Sequence, residues 1–353
     1  RNPFHTLLTE THSVAAGTHA PSLVEIPFSA LGQGVRTVTA SVLEIDTEHK
    51  LVLTDEAGNL PYDTLAFCLG GKDNDFGTPG VQEHALFLRG QRDAEVIRTR
   101  LEQLTPGAGV VIVGGGLTGV ELAAEIAMRT DIHPAVTVVE AMPTLLPGLV
   151  EGLQQRARRR LGWLGVNVLT GGRVAKIEEG KVCLADGAIL SAGLIVWAAG
   201  VQGNPLVRQL GLSTDRSGRV SIGPDLLTGK PEILVLGDSA AYTANPGERS
   251  LPPSAQLAEQ MGFGAAANLA ARLRGHAARP FVPHLQGILC DLGGLNASGL
   301  VFRWQIHGKL GAVAKRFTVL RHLWKTMGLK GFMINLTEQL HALTLPAQRH
   351  ESR

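Results

Sequence analysis

Paired cysteines are missing from these 353 residues: Cys68, Cys183 and Cys290 stand far apart, with no C-x-x-C or C-x-x-x-x-C spacing. That excludes a disulfide framework and fits a reducing compartment. Each thiol is expected to act as a small buried hydrophobe rather than a reactive group. Long apolar runs are missing too. The most apolar window surrounds a glycine cluster and contains Glu121 and Glu125, so no segment qualifies as a membrane span. No signal peptide is evident, and the chain starts at Arg1 rather than Met, so its start reads as processed, trimmed or incomplete. Acidic residues are absent only locally: six basic residues and no acidic one lie between Lys309 and Lys330. Overall the net charge is +2, which by itself names no partner. A hydrophobic content of 44% with 18% charged residues describes a folded chain, long enough for two to three domains.

What is present centres on GVVIVGGGLTGVELAAEIA, Gly109 to Ala127. Val110 to Val113 is a continuous apolar run, the pattern of a strand buried on both faces. It breaks at Gly114, Gly115 and Gly116, and Thr118-Gly119 leads into a helical pattern of Val120, Leu122, Ala123 and Ile126. This is G-x-G-x-x-G between a strand and a helix. Gly114 permits the tight turn, Gly116 lets backbone approach a pyrophosphate, and Gly119 lets the helix pack on the strand. The pyrophosphate then meets free N–H groups at the helix N-terminus. A second strand, Ala135 to Val139, ends in Glu140, about 20 residues on, where a ribose-binding carboxylate belongs. Glu140 would accept from the adenosine ribose hydroxyls and repel a 2′-phosphate. Ala141 follows, with no adjacent Arg to neutralise that phosphate, so NAD(H) is favoured over NADP(H).

Two stretches repeat one pattern. Residues 35–71 and 174–201 each contain a strand ending in I-D or I-E, a turn, a V-x-L strand and an Asp. Each closes on a buried run ending in glycine, TLAFCLGG or GLIVWAAG. The second copy is the tail of the dinucleotide domain opened at Val110, so the first should be the tail of another such domain. The expected head of that other domain, a strand, glycine loop and helix of about 30 residues, would lie upstream of Arg1. Pro106-Gly107 and Gly203-Asn204-Pro205 mark entry to and exit from an inserted domain. Ile233 to Leu236 reads as a buried strand delivering Gly237-Asp238, and Pro253-Ser254 opens an Ala-rich helix. Residues 281–300 read as short strands. From Lys309, the apolar residues Leu310, Val313, Ala314, Phe317, Leu320, Trp324 and Met327 recur at helical spacing. A basic amphipathic helix with Trp and Phe suits an anionic membrane surface; equally, it suits a helix packed on its own protein with a solvated basic face. The polar tail after Pro346 is expected to fray.

With these pieces in order, the chain resembles the type II NADH:quinone oxidoreductases, a family of two-dinucleotide-fold flavoproteins. FHTLLTETHSVAAGT (Phe4 to Thr18), FGTPGVQEHA (Phe76 to Ala85), VVIVGGGLTGVELAAE, VTVVEA, LIVWAAGV, ILVLGDSAA and AQLAEQ (Ala255 to Gln260) carry the likeness. AQLAEQ is the most discriminating, being similar to the A-Q-x-A-x-Q element at that family's quinone and flavin site. The departures are the absent first G-x-G-x-x-G, which in the family holds the FAD pyrophosphate, Thr6 where the family has Pro, and Cys68 in a strand end that usually closes Ala-x-Gly.

The resemblance implies an α/β fold of two Rossmann-like domains and a C-terminal amphipathic membrane-binding region. FAD binding falls to residues 1–105 and 206–280, NADH binding to 106–205, and the C-terminal region to 281–353. Hydride would pass from NADH to FAD, and two electrons on to a membrane quinone, without proton pumping. Glu121 would face the nicotinamide, Asp238 would accept from the ribityl hydroxyls, and Gln256 and Gln260, one helical turn apart, would serve the quinone or flavin ring. Gly200, Gly237 and Ala255 complete the cofactor-binding positions beside Gly114, Gly116, Gly119 and Glu140, and Glu125 is left to structure. The implied setting is peripheral, on the cytoplasmic face of the membrane, with a homodimer as an open assembly and no nucleic-acid partner. His5, His12 and His19 recur every seven residues in loop-like surroundings and are not read as a metal site; the arginines at 156 and 158–160 read as a solvated helix face. Two rivals stand beside this reading: a sulfide- or disulfide-handling flavoprotein, which needs paired redox cysteines, and a flavin-free nucleotide- or membrane-binding protein.

Overall fold

In the computed structural model, residues 2–31, 34–243 and 249–344 are described, so the tail after Pro346 lies outside the described residues. The chain divides into two compact units. One takes Arg1–Asn2, Arg36–Asn74 and Val201–Leu285; the other takes Pro3–Val35, Asp75–Gly200 and Gln286–Arg353.

The larger unit is organised by a five-stranded parallel sheet. Its strands are β1 (Leu86–Phe87), β2 (Gly109–Val113), β3 (Ala135–Glu140), β4 (Asn167–Thr170) and β5 (Leu194–Trp197), in the order β4-β3-β2-β5-β1. Alternation along β2 explains why its whole run is apolar. Val110 and Ile112 join one core cluster, with Val120, Leu122, Ala123 and Ile126; Val111 and Val113 join another, with Val139, Ile195 and Trp197. A parallel sheet covered on both faces selects such continuous runs. Helices α1 (Thr11–Ala16), α2 (Gln91–Glu102), α3 (Leu117–Ala127) and α4 (Glu151–Trp163) contribute to the first cluster. The second is capped by the antiparallel meander Val174–Glu178, Lys181–Leu184 and Ile189–Ser191.

The smaller unit holds the other meander, Val42–Asp46, Leu51–Thr54 and Asn59–Pro61, followed by the strand Leu65–Phe67. Leu65–Phe67 runs parallel to Ile233–Val235, and its core includes Phe67, Val235, Tyr242 and Met261. Helix α5 (Ala255–Leu273) begins at Ser254, whose side chain accepts from Leu257 N–H at 3.2 Å, an N-cap of the expected kind.

Three expectations need correction. Residues 3–35 and 75–105, assigned by resemblance to FAD binding, cluster with the larger unit, because α1 is buried there and β1 is an edge of its sheet. His12, read as lying in a loop, is on α1 and 2% exposed. Cys68 is exposed, whereas Cys183 and Cys290 are buried as expected.

After the strands β6 (Gly287–Asp291), β7 (Ala297–Val301) and β8 (Trp304–His307), the chain enters α6, Gly308–Thr344, broken by a non-helical Gly328. Its buried face is Ala312, Lys315, Arg316, Val319 and Leu323, while Leu310, Val313, Phe317 and Trp324 are exposed.

Candidate functional site

The carboxyl ends of β2, β3 and β5 bring together Gly114, Gly116, Gly119, Glu140 and Gly200. The three motif glycines are needed for three different reasons. Gly114 has φ +113°, and a Cβ there would lie 2.4 Å from the Ala198 carbonyl oxygen. At Gly119 a Cβ would stand 1.9 Å from the Gly114 oxygen, so only glycine lets α3 start this close to the strand. Gly116 is the opposite case: a Cβ would meet nothing within 4 Å, leaving the open approach a pyrophosphate needs. It is the N-cap of α3, whose first turn carries no acidic side chain to repel an anion.

Glu140 is 8% exposed, and backbone donors aim both of its oxygens: Gly115 N–H to Oε2 and Met142 N–H to Oε1, each at 2.7 Å. Each carboxylate oxygen keeps acceptor capacity for a ribose hydroxyl. These residues fit a dinucleotide.

Glu121 does not lie open to that crevice. Although it shares α3 with the glycine loop, it is 7% exposed and engaged from three other elements. Its Oε1 accepts from Lys315 Nζ at 2.7 Å and from Asp291 N–H at 3.0 Å, and His12 Nδ1 lies 3.7 Å from Oε2. Lys315 Nζ also reaches Asp291 Oδ2 at 2.7 Å, and His12 Nε2 is 3.3 Å from the same oxygen. Helix α1, helix α3, strand β6 and helix α6 thus share one buried charge network. Beside it Arg316 pairs with Glu10, and Glu125 accepts from Thr18 at 2.7 Å.

Burial alone would neutralise Asp291, Lys315 and His12, but their neighbours favour the charged forms. The Asp291 carboxyl is held far below its usual range by the Lys315 ammonium and by His12, against desolvation. Desolvation would lower Lys315, yet Asp291 and Glu121 raise it. His12 is raised too: burial, the largest influence, would lower it, but Glu121 and Asp291 together outweigh that cost and the Lys315 charge. Glu125, by contrast, is raised by burial. Oxygen and nitrogen atoms of His12, Glu121 and Asp291 lie within 4.8 Å of one another, a spacing a cation could bridge, and the Lys315 ammonium supplies that charge.

Gly237, Asp238, Ala255, Gln256 and Gln260 all belong to the smaller unit. Gly237–Ser239 is a tight turn leaving the strand Ile233–Val235; Gly237 has φ +67°, and a Cβ there would sit 3.4 Å from Ala258 on α5. Ser239 Oγ donates to the Gly70 carbonyl at 2.5 Å, joining this turn to the end of the first repeat copy. Asp238 and Gln256 are half-buried. Gln260 departs from its expected role: its Nε2 donates to the His284 carbonyl at 3.1 Å and its Oε1 accepts from His284 N–H at 2.8 Å. Both ends of that amide are engaged by backbone. The turn at Asp238 and the start of α5 suit the ribityl and ring end of a flavin; a second G-x-G-x-x-G for its pyrophosphate does not occur in the 353 residues.

Reasoning from sequence missed His12, Asp291 and Lys315. One signal was available: a lysine–arginine pair in a stretch, 309–330, with no acidic residue must find its partners elsewhere if it is buried. Cys290, buried and with its thiol pushed well up by desolvation, is no nucleophile, and no second cysteine is near it in sequence.

The pyridine nucleotide-disulphide oxidoreductase family model matches residues 4–262. A relative from Bacillus subtilis strain 168, the NADH dehydrogenase-like protein YutJ, is 32% identical over 89% of this chain and 87% of its own length. The type II NADH:quinone oxidoreductase of Staphylococcus aureus is 31% identical over 93% of this chain and 88% of its own. Among solved structures, NDH2 from Plasmodium falciparum in complex with NADH is similar in fold, with a TM-score of 0.83 at 16% identity. That likeness covers 99% of this chain and 93% of the solved one.

Proposed function

We infer that this chain, which belongs to the pyridine nucleotide-disulphide oxidoreductase family, is a type II NADH:quinone oxidoreductase. It takes two electrons from NADH through FAD to a quinone. The observation that carries the nicotinamide half of this reading is the glycine loop, where the open space at Gly116 faces a helix N-terminus and Glu140 stands fixed beside it. Gly114, Gly116 and Gly119 seat the pyrophosphate; Glu140 holds the adenosine ribose and disfavours a 2′-phosphate. FAD, when bound, supplies the hydride acceptor and the two-electron carrier. Of the residues present, Asp238 would hold its ribityl hydroxyls. The backbone N–H groups that open α5 at Ala255 and Gln256 would face the ring and favour negative charge on it. Gln260 positions the backbone around His284 instead of touching a substrate. Glu121 serves the nicotinamide side from behind, by fixing α3 against Lys315.

The chain works at a membrane surface, on the cytoplasmic face, through α6. No helix among the described residues is long and apolar enough to cross a membrane. Instead Leu310, Val313, Phe317 and Trp324 leave an apolar stripe in water, with Phe317 65% exposed, flanked by exposed Lys309 and Lys325. That is the make-up of an interfacial helix on anionic lipid. Deleting α6 would strip Lys315 from Glu121, so the informative variant is Phe317→Ser with Trp324→Ser, which should cut flotation with anionic vesicles while leaving NADH oxidation intact.

The oxidoreductase reading is tested by an absorption spectrum of protein expressed from its full coding sequence, with NADH and then menadione added anaerobically. A flavin band that bleaches with NADH and returns with quinone is the expected result. A protein without a flavin band, or one bleached by NADH but not reoxidised by quinone, would end it.

A further inference from the structure

Phe76 is held in a half of backbone space that its side chain disfavours. Its φ is +52°, a left-handed conformation that costs a residue with a Cβ about 1–2 kcal/mol. The turn around it is well defined. Thr78 N–H donates to the Asp75 carbonyl at 2.9 Å, and Gly77, the other central residue, has φ +68°. The Asp75 carboxylate takes Gly77 N–H at 2.9 Å and Gln82 Nε2 at 2.7 Å. Two left-handed central residues make a type I′ turn, whose natural occupants are Asn-Gly or Gly-Gly. The turn therefore does not ask for phenylalanine. Nor does a core, since Phe76 is 64% exposed.

One neighbour of the ring is Gly200. A Cβ built on Gly200 would stand 2.9 Å from Phe76 Cζ and 3.2 Å from Cε2, so the tip of the aromatic ring occupies the space a side chain at 200 would take. Gly200 closes the loop leaving β5. In the sheet order β4-β3-β2-β5-β1, the direction of winding reverses at β2, and a dinucleotide lies across such a switch point. Glu140, at the end of β3, takes the adenosine side; the pyrophosphate sits at the α3 N-terminus beyond β2. The nicotinamide riboside is thereby directed toward the end of β5, where Phe76 lies on Gly200.

We propose that Phe76 is a nicotinamide-contacting residue: its exposed ring is the apolar platform for the nicotinamide, and Gly200 is glycine so that the ring can lie there. This rests on the dinucleotide reading of the glycine loop. An offset aromatic contact of this kind corresponds to roughly a three- to tenfold change in affinity.

The test compares NAD+ with ADP-ribose, which keeps the adenosine and pyrophosphate but lacks the nicotinamide, by calorimetry on the full chain. Phe76→Gly should weaken NAD+ about tenfold, leave ADP-ribose within twofold, and raise the melting temperature because the left-handed strain is gone. Phe76→Tyr should restore NAD+ binding, and Gly200→Ala, which displaces the ring, should repeat the selective loss. Equal losses for both ligands, or no loss for either, would overturn the role of Phe76. A wild-type chain that binds neither ligand would instead overturn the dinucleotide reading, and the proposal with it.

Discussion

The meander at 42–61 and the meander at 174–191 share even their irregularity, a register shift in the first strand pair, between Val42 and Glu44 in one and Val174 and Lys176 in the other. They differ in the strand that each leads into. Leu194–Trp197 has β2 on one side and β1 on the other, and all four residues are buried. Leu65–Phe67 pairs with Ile233–Val235 and, among the described residues, with no second strand; only Phe67 is buried. A strand with both neighbours delivers its next residues into close packing, as Ala198 and Ala199 meet Gly114. The other strand delivers Cys68 and Leu69 into exposed positions, and its Gly70 carbonyl meets Ser239. One repeated pattern therefore ends between two neighbouring strands in one unit and, among the described residues, beside a single strand in the other.

The copy at 174–201 closes the sheet of the unit that also holds the buried charge network, and removing that support should have the largest effect. Lys315→Met leaves Glu121 and Asp291 buried without their ammonium, a loss expected to cost about 3–5 kcal/mol, read as a lowered urea midpoint. Next comes one substitution made at two glycines. Gly114→Ala sets a Cβ 2.4 Å from a carbonyl oxygen and should cost about 2–4 kcal/mol together with NAD+ binding. Gly70→Ala, at φ +65° with nothing within 4 Å, should cost only the left-handed penalty of about 1 kcal/mol. Equal costs would mean that the two strand ends are equally built. Smaller again, Glu140→Gln should weaken NADH about tenfold, or about 1.4 kcal/mol, and narrow the gap between NADH and NADPH in kcat/KM.

The glycine loop and Glu140 were legible because their spacing is local: a strand, a turn and a helix within some thirty residues dictate where each side chain goes. The repeat was legible for the same reason, since turn and strand alternate at short range. Helix α6 shows where such reading stops. Its apolar stripe was visible in sequence, but Leu310, Phe317 and Trp324 face solvent while Lys315 and Arg316 face the core. Which face turns inward is decided by Glu10, Glu121 and Asp291, charges far away in the chain. The partners of Glu121 and Gln260 were illegible for the same reason. Helical spacing reports which residues share a face; it does not report that Lys315 or the His284 backbone is waiting on the other side.

His5 and His12, seven residues apart and alike in sequence context, make the last and smallest of these contrasts. His5 is lowered to about 4 by burial and by the ring of His322, whose centroid is 5.5 Å away. His12 is raised, because Glu121 and Asp291 face it. The signs are opposite. Between about 4 and 6.5 the unfolded chain binds a proton at His5 that the folded chain refuses, so stability rises with pH there. The His5 contribution is complete above the unfolded value and is lost as pH falls toward 4. His12 works the other way: its contribution is complete below its ordinary value of 6.5 and fades as pH climbs through its raised one. Urea midpoints measured across acid and alkaline ranges separate the two. His5→Asn should flatten the acid limb and leave the alkaline limb alone, whereas His12→Gln should flatten the alkaline limb. A single variant that flattened both would mean that the two imidazoles report one shared opening of α6, not two separate environments.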